Sequence, residues 1–442
     1  MLVKLPHVAL VMGITGLLLG RIAIAQEIHW DPSVYDSLVP VDSSDTIEPG
    51  TQITLRNWQR YKGFLPYGIQ VQYSGRYFWH VGSDPSFTIT VGSTQSVKLP
   101  KQFRMDTEKY GGQAKLEKVD TGGYTMKGYV AGVPFPNPTE PEVATKILYN
   151  ARYPATPAVS LSASTNFLVD KFLNVGPTGF EVEYFRLSHL SVAGMPINPP
   201  YGTGYQYAVR ILQTAPEQAK YLTSLNLWPD DPSLPQEVYL FVPSLRRPLR
   251  LSSASRCAPI FGSDFVNDDT GIIATNFKYR LLGEKKILVL IHPTSDPAVL
   301  YSRDSIHMKS TLPGWPMPPL GRWELRDVYV LDSMPLPVMG HYCYGHRVGY
   351  IDKETWLVLQ GEAYDAEGKL WKVGVGTGRV IPNNTRDGEY VTGLSGALLN
   401  LRETHASGGV TSGPVRVDNE VPEEDRDASV MAFPNSLNVI MK

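Results

Sequence analysis

From residue 347 the chain reads RVGYID, KET, WLVLQGEAYD, AEGK and LWKVGVG: runs of β-branched and aromatic residues in period-two alternation, cut by short polar turns. Side chains alternate across a strand, so runs joined this way form an antiparallel meander and cannot present a helical face. The pattern recurs upstream. NFLVDKFLNV, a turn GPTG and FEVEYFRLSHLSV predict a hairpin with Phe180, Val182, Tyr184, Leu190 and Val192 on one face. EVYLFVP pairs with LRRPLRLS, TNFKYRLL pairs with KKILVLIHP across a turn at Gly283 and Glu284, and WELRDVYVLD adds another strand. GLSGALLNLRETH reads equally as helix or strand.

Consecutive hairpins of this length imply one wide, twisted antiparallel sheet, which must curl or take a second layer. Helical segments are few. The expected fold class is therefore mainly β (α+β): a large curved antiparallel sheet forming a half-open barrel, with a few helices packed on or plugging its concave side. The 24 Tyr, 39 Gly and 36 Pro suit long strands with many turns. No fixed-period repeat is present, which excludes a propeller.

The helices are legible from caps and spacing. LPKQFRMDTEKYGG predicts a short helix ending at a glycine pair, and Thr139 with Glu142 predicts a capping box ahead of an apolar face of Val143, Ile147, Leu148 and Ala151. TLRNWQRYKGF repeats Leu55, Trp58 and Lys62 at helical spacing behind Thr54, whereas GIQVQYSGRYFWHVG reads as a strand. LPGWPMPPLG, with Trp315 and Met317, reads as an extended connector, and DNEVPEEDRDAS as a solvated acidic linker.

These readings divide the chain into a leader (1–25), a mixed N-terminal region packed on the main domain (26–138), an antiparallel β domain (139–405) and an acidic linker with C-terminal tail (406–442). The leader carries Lys4, the apolar run VALVMGITGLLLG and the small residues Ala23 and Ala25 ahead of Gln26, the form of a cleaved export signal. Cleavage is expected between Ala25 and Gln26. As a helix the run is about 20 Å long, short of the roughly 30 Å hydrocarbon core. Export places the mature protein in the periplasm, and its two cysteines, Cys257 and Cys343, are then expected to form one disulfide.

HYCYGHRVGYIDKETW sets His341, Cys343 and His346 at a metal-like spacing. In an extended chain His341 and Cys343 share a face while His346 opposes them, and a bonded Cys343 has no thiolate to offer, so no metal site is read here. Nucleophile-elbow, zinc-protease and phosphate-loop motifs are missing, and no cofactor is called for. Gly374, Gly376 and Gly378 end a strand and mark a bulge or a close backbone approach. The acidic pairs Asp230 with Asp231 and Asp268 with Asp269 read as turns. A formal net charge of -2 provides no basic field for nucleic acid. Charges on both faces of the strands also argue against an outer-membrane barrel.

GYVAGVPFPNPTEP, the arginine strand VPSLRRPLRLSS, FGSDF within RCAPIFGSDFVNDDTG, and HYCYGHRVGYIDKETW together resemble the periplasmic family called domain of unknown function 1329, over residues 50 to 435. That family is similar to the outer-membrane lipoprotein-sorting proteins of Gram-negative bacteria. The resemblance implies a half-open barrel with an apolar interior, and as partners an inner-membrane proton-driven exporter and an outer-membrane channel protein. It implies no catalytic residue. Arg246, Arg247, Asp264 and Asp269 match its pattern without an assigned role, and the residues alone read as a salt-bridged sheet edge and a capped short helix.

The expected function is a periplasmic carrier or adaptor for a hydrophobic small molecule or lipid within a cell-envelope transport system. Burying a sixteen-carbon chain gains roughly 12 kcal/mol before ordering costs, so shape and apolar lining suffice. The alternative is an exported hydrolase whose site, drawn from His189, His292, His307, His341 or His405, converges only in three dimensions.

Overall fold

The computed structural model describes residues 46–74, 88–172, 174–252, 256–260, 262–269, 271, 273–302 and 320–440. The leader with Ala25 and Gln26, Phe261, His307, and the loop residues Trp315 and Met317 lie outside these residues, as does the end of the stretch read as a strand at 68–82.

Two small pairings precede the main sheet: β1 (Gln52–Ile53) with β2 (Ile89–Thr90), and the hairpin β3 (Lys115–Lys118) with β4 (Tyr124–Lys127). The alternating segments then form β5 (Val159–Val169), β6 (Val175–Arg186), β7 (Tyr205–Ala215), β8 (Thr223–Pro229), β9 (Glu237–Val242) and β10 (Arg247–Arg250). They continue as β11 (Phe277–Val289), β12 (Glu324–Pro335), β13 (His346–Asp352), β14 (Val358–Tyr364), β15 (Leu370–Pro382), β16 (Glu389–Asn400), β17 (His405–Thr411) and the short β18 (Arg416–Val417). All but β1 to β4 join one antiparallel sheet in the order β10-β9-β8-β7-β6-β5-β17-β16-β15-β14-β13-β12-β11, with β18 also on β5.

The chain therefore starts in the middle of the sheet, walks to the β10 edge, crosses to the opposite edge at β11, and walks back until β17 meets β5. Ala406 of β17 stands opposite Val169 of β5. The edges β10 and β11 do not pair with each other among the described residues, so the sheet is not closed. It is strongly curved. Tyr207 on β7 and Leu331 on β12 line the same cavity of about 580 Å³, although eight strand spacings separate them, about 38 Å on a flat sheet. Only a wall bent into a half-barrel brings them to one hollow.

Both faces are covered. On the cavity side lies α3 (Val143–Arg152), whose Ile147 is fully buried against Leu331, Ile351 and Phe277. On the outer face, a 3-10 helix (Trp58–Phe64) lies against β11, and α1 (Tyr67–Tyr73) presses on β14 and β15. A Cβ at Gly68 would lie 2.3 Å from Val373 Cγ1, so this approach requires glycine. Further along the outer face, Val421, Ala428, Ala432 and Leu437 of the C-terminal turns pack on Phe185, Ala208 and Leu227. Glu423 and Glu424 remain exposed there.

Several local expectations need correction. The segment from Gly68 is helical: its alternating glutamines are buried, and Gln70 donates to Lys62 O and Leu65 O, so they do not mark a wet strand face. The hairpin between β5 and β6 turns at Asp170–Asn174, where the Asp170 carboxylate accepts the backbone N–H groups of Phe172 and Asn174; GPTG lies inside β6. Gly283 and Glu284 form no turn, because β11 runs through them with a bulge between Leu281 and Gly283. No capping box precedes α3, since Glu142 adopts a left-handed conformation and makes no side-chain cap. The segment at Leu55 becomes helical only from Trp58, as a 3-10 turn. The glycine pair does end α2 (Lys101–Tyr110), and GLSGALLN resolves as strand β16.

Candidate ligand cavity

An edge-to-edge crossover has to span the hollow side of a curved sheet. Residues 251–276 do this, and Phe265, Asp268, Asp269, Gly271 and Ala274 of that segment form one wall of the cavity. The crossover is fastened at several points. Cys257 is disulfide-bonded to Cys343 in the loop entering β13, with Cα atoms 5.7 Å apart. The Asp264 carboxylate accepts Asn400 Nδ2 at 2.8 Å and Ser407 Oγ at 2.7 Å, from β16 and β17. Lys372 of β15 donates to Asp264 O and to the Tyr344 hydroxyl, which in turn donates to Asp269 at 3.0 Å. Asp269 also accepts Val266 N, closing the Asn267–Asp269 turn.

The floor is built from missing side chains. Gly349, Gly361 and Gly374 stand directly opposite one another on β13, β14 and β15, with Leu398 of β16 next in line, and all four line the cavity. Ile351, Leu331 and the α3 residues Leu148 and Ala151 complete a largely aliphatic surround. Gly376 and Gly378 are not part of this floor; a bulge falls between Thr377 and Gly378, as the glycine spacing suggested.

Charged side chains stand on two walls of the cavity. At the crossover end, Arg347 lies 3.7 Å and Lys372 3.9 Å from Asp269. Burial raises the Asp268 carboxyl above the ordinary aspartate range, with Arg347 opposing, and burial lowers Lys372, opposed by Asp269 and Asp264. On the other wall stand Tyr184 and Arg186 of β6, Tyr207 of β7, and Arg152 at the end of α3. Burial pushes the Tyr207 hydroxyl up, so it stays neutral and can donate.

Of the residues matched by sequence, the structure brings Asp264 and Asp269 to the crossover and leaves Arg246 and Arg247 exposed at the β10 edge. Neither arginine forms an ion pair among the described residues; the pair at that edge is Arg250 with Glu237 at 3.2 Å. His346 is buried 2.9 Å from Asp332 and stacked on Tyr364, while His341 is exposed. Asp264, Glu403 and His405 place ligand atoms within 4.8 Å of one another, yet both oxygens of Asp264 already accept side-chain hydrogen bonds. His292 pairs with Glu324 at 2.8 Å and His189 with Val130 O at 2.7 Å. No histidine among the described residues lines the cavity, so the histidines do not converge there.

Sequence reasoning missed Arg152, Arg186, Arg347, Lys372 and the glycine floor. The one available signal was glycine in mid-strand at 349, 361 and 374, positions that β propensity disfavours.

Solved structures similar to this chain include three proteins. An outer membrane lipoprotein-sorting protein domain, so named, from Vibrio parahaemolyticus is 16% identical, covers 66% of this chain and 99% of its own, and gives a TM-score of 0.45. A DUF1329 family protein from Desulfovibrio piger is 15% identical over 66% of this chain and 100% of its own, with a TM-score of 0.45. A LolA superfamily protein from Nitrosomonas europaea is 12% identical over 64% and 96%, with a TM-score of 0.37. No curated protein matches in sequence. No helix among the described residues is long and apolar enough to cross a membrane. The family model described as "Protein of unknown function (DUF1329)" matches residues 52–425, and this chain belongs to that family.

Proposed function

We propose that the protein is a periplasmic carrier or adaptor that holds a hydrophobic or lipid-like molecule in this cavity. The supporting observation is the hollow itself: about 580 Å³, floored by three glycines and walled by Leu148, Leu331, Ile351 and Leu398. Its size falls within the roughly 300–1,000 Å³ of small-molecule sites. Burial of apolar surface contributes about 25 cal/mol per Å², so such a lining binds without chemistry. The Cys257–Cys343 bond fits an oxidising compartment, and the apolar leader fits export. Exchange with a proton-driven exporter and an outer-membrane channel protein is the transport setting of this reading, supported by the family resemblance alone.

Native mass spectrometry of protein purified from a Gram-negative envelope tests it. Retention of a hydrophobic molecule, released by organic solvent, is the expected result. An empty protein that also takes up no long-chain probe is the result that rejects carriage.

A further inference from the structure

We propose that the carried molecule is anionic: a single-chain amphiphile ending in a carboxylate or a phosphate, whose head group binds Arg186 while its chain lies over the glycine floor. This rests on the carrier reading and specifies its ligand.

Two carboxylates, Asp268 and Asp269, stand on the crossover wall of the cavity, and both lie beside Arg347. Asp269 faces Arg347 and Lys372 at 3.7 and 3.9 Å and accepts the Tyr344 hydroxyl. Asp268 lies in the field of Arg347, which donates to its backbone oxygen at 3.1 Å. The Glu362 carboxylate is turned to the outer face, where it accepts Gly68 N at 2.8 Å and the Tyr350 hydroxyl at 3.2 Å and bears on buried Lys285. That end of the hollow is close to electrically balanced.

Arg186, on the β6 wall, is not balanced in this way. It is 5% exposed. Its Nε donates to Ser188 O at 2.8 Å and its guanidinium lies 5.3 Å from the centre of the Tyr153 ring. It forms no ion pair with a carboxylate among the described residues. Asp230, which also bears on Tyr153, is taken by the Ser188 hydroxyl and lies 3.8 Å from His189 Nε2. Arg152, whose charge also bears on Asp231, lines the same wall, and both arginines act on Tyr153 and Tyr207.

A buried cation without a counter-ion carries a large desolvation cost. That cost is offset if the counter-ion arrives with the ligand. The guanidinium fork suits a carboxylate or a phosphate, with Nε anchored on Ser188 O and the rest of the fork at the cavity wall beside the Tyr184 hydroxyl. The apolar lining begins beside it, so one chain can reach from Arg186 toward Leu398. The Arg186 guanidinium selects the acid over a neutral lipid of the same length.

The test is calorimetric titration of the intact protein with dodecanoate, dodecyl phosphate, dodecan-1-ol and inorganic phosphate. Both dodecyl anions are expected to bind at least about tenfold tighter than the alcohol, as a charge-assisted contact predicts. Arg186→Gln is expected to bring them to the alcohol's affinity without changing the alcohol's own. Equal binding of acid and alcohol by the native protein overturns the anionic head group but leaves carriage standing. Binding of no dodecyl compound overturns both. Inorganic phosphate binding as tightly as dodecyl phosphate overturns the amphiphile. Should Arg186→Gln not fold, carbon-13 NMR of carboxyl-labelled dodecanoate bound to the native protein decides. A carboxyl that stays ionised below about pH 4 supports the arginine contact, and one that protonates above about pH 5 overturns it.

Discussion

Cys257 and Cys343 are 86 residues apart in sequence, and their disulfide ties the crossover to the loop before β13, the strand whose Arg347 and Gly349 line the cavity. Replacing both by serine is expected to cost about 4 kcal/mol in the chain-entropy account of a loop this long. The crossover should also open more often. Denaturant titration checks the first effect, and faster hydrogen exchange confined to residues 256–276 checks the second.

Asp264 is 9% exposed and holds Asn400 and Ser407 with its two oxygens. Asp264→Ala leaves both donors unpaired in a buried setting, at about 2–4 kcal/mol. Asp264→Asn keeps the shape and one acceptor, so a smaller loss is expected. If both variants melt like the native protein, Asp264 does not clamp the crossover.

The glycine floor separates occupancy from folding. A Cβ at Gly374 meets its nearest atom, Gly361 O, at 3.5 Å, an ordinary contact. Gly374→Val should therefore fold while its methyl groups fill the hollow, and uptake of dodecyl probes should fall at least about tenfold. At Gly345 a Cβ would sit 2.1 Å from Asp365 O, so Gly345→Ala should lower the melting temperature. Unchanged uptake by Gly374→Val would place the ligand elsewhere.

Lys285 is buried over the Tyr350 ring, and its ammonium makes no hydrogen bond among the described residues. Burial pushes it down to about 8, with Glu362 opposing. Below that value both the folded and unfolded chains carry the charge, and the fold bears its burial. As pH rises from about 8 to 10.5 the folded protein releases the proton first, so this group makes the fold more stable across that window, by on the order of 3 kcal/mol at most. Lys285→Met should raise stability near pH 7 and flatten the slope above pH 8. A native slope retained in the variant would assign the effect to other groups.

The outer face depends on the C-terminal turns, where Ala432 and Leu437 are fully buried on the β5 to β9 half of the sheet. Truncation after residue 417 exposes that apolar face, and the shortened protein is expected to self-associate. Sedimentation at increasing concentration would show it; a monomeric truncated form would mean that the face needs no cover.

What the sequence determined was local. Period-two alternation and turn residues identified most strands of the sheet, the glycine pair ended α2, and strands of this number made a curved wall necessary. Alternation misled only where tertiary contacts gave polar residues a buried role, as at Gln70 and Gln72, or where a bulge let β11 run through Gly283. The cavity was decided by strand order. Gly349, Gly361 and Gly374 form a floor because register sets them opposite one another, and Asp264 and Asp269 reach Lys372 because the chain crosses from the β10 edge to the β11 edge over the hollow. Arg186 became a candidate site only once its burial and its want of a carboxylate could be seen. Pairings between residues as distant in sequence as Ser160 and Val417 leave no periodic trace in the chain, because each is fixed by the closing of the whole sheet and not by its neighbours.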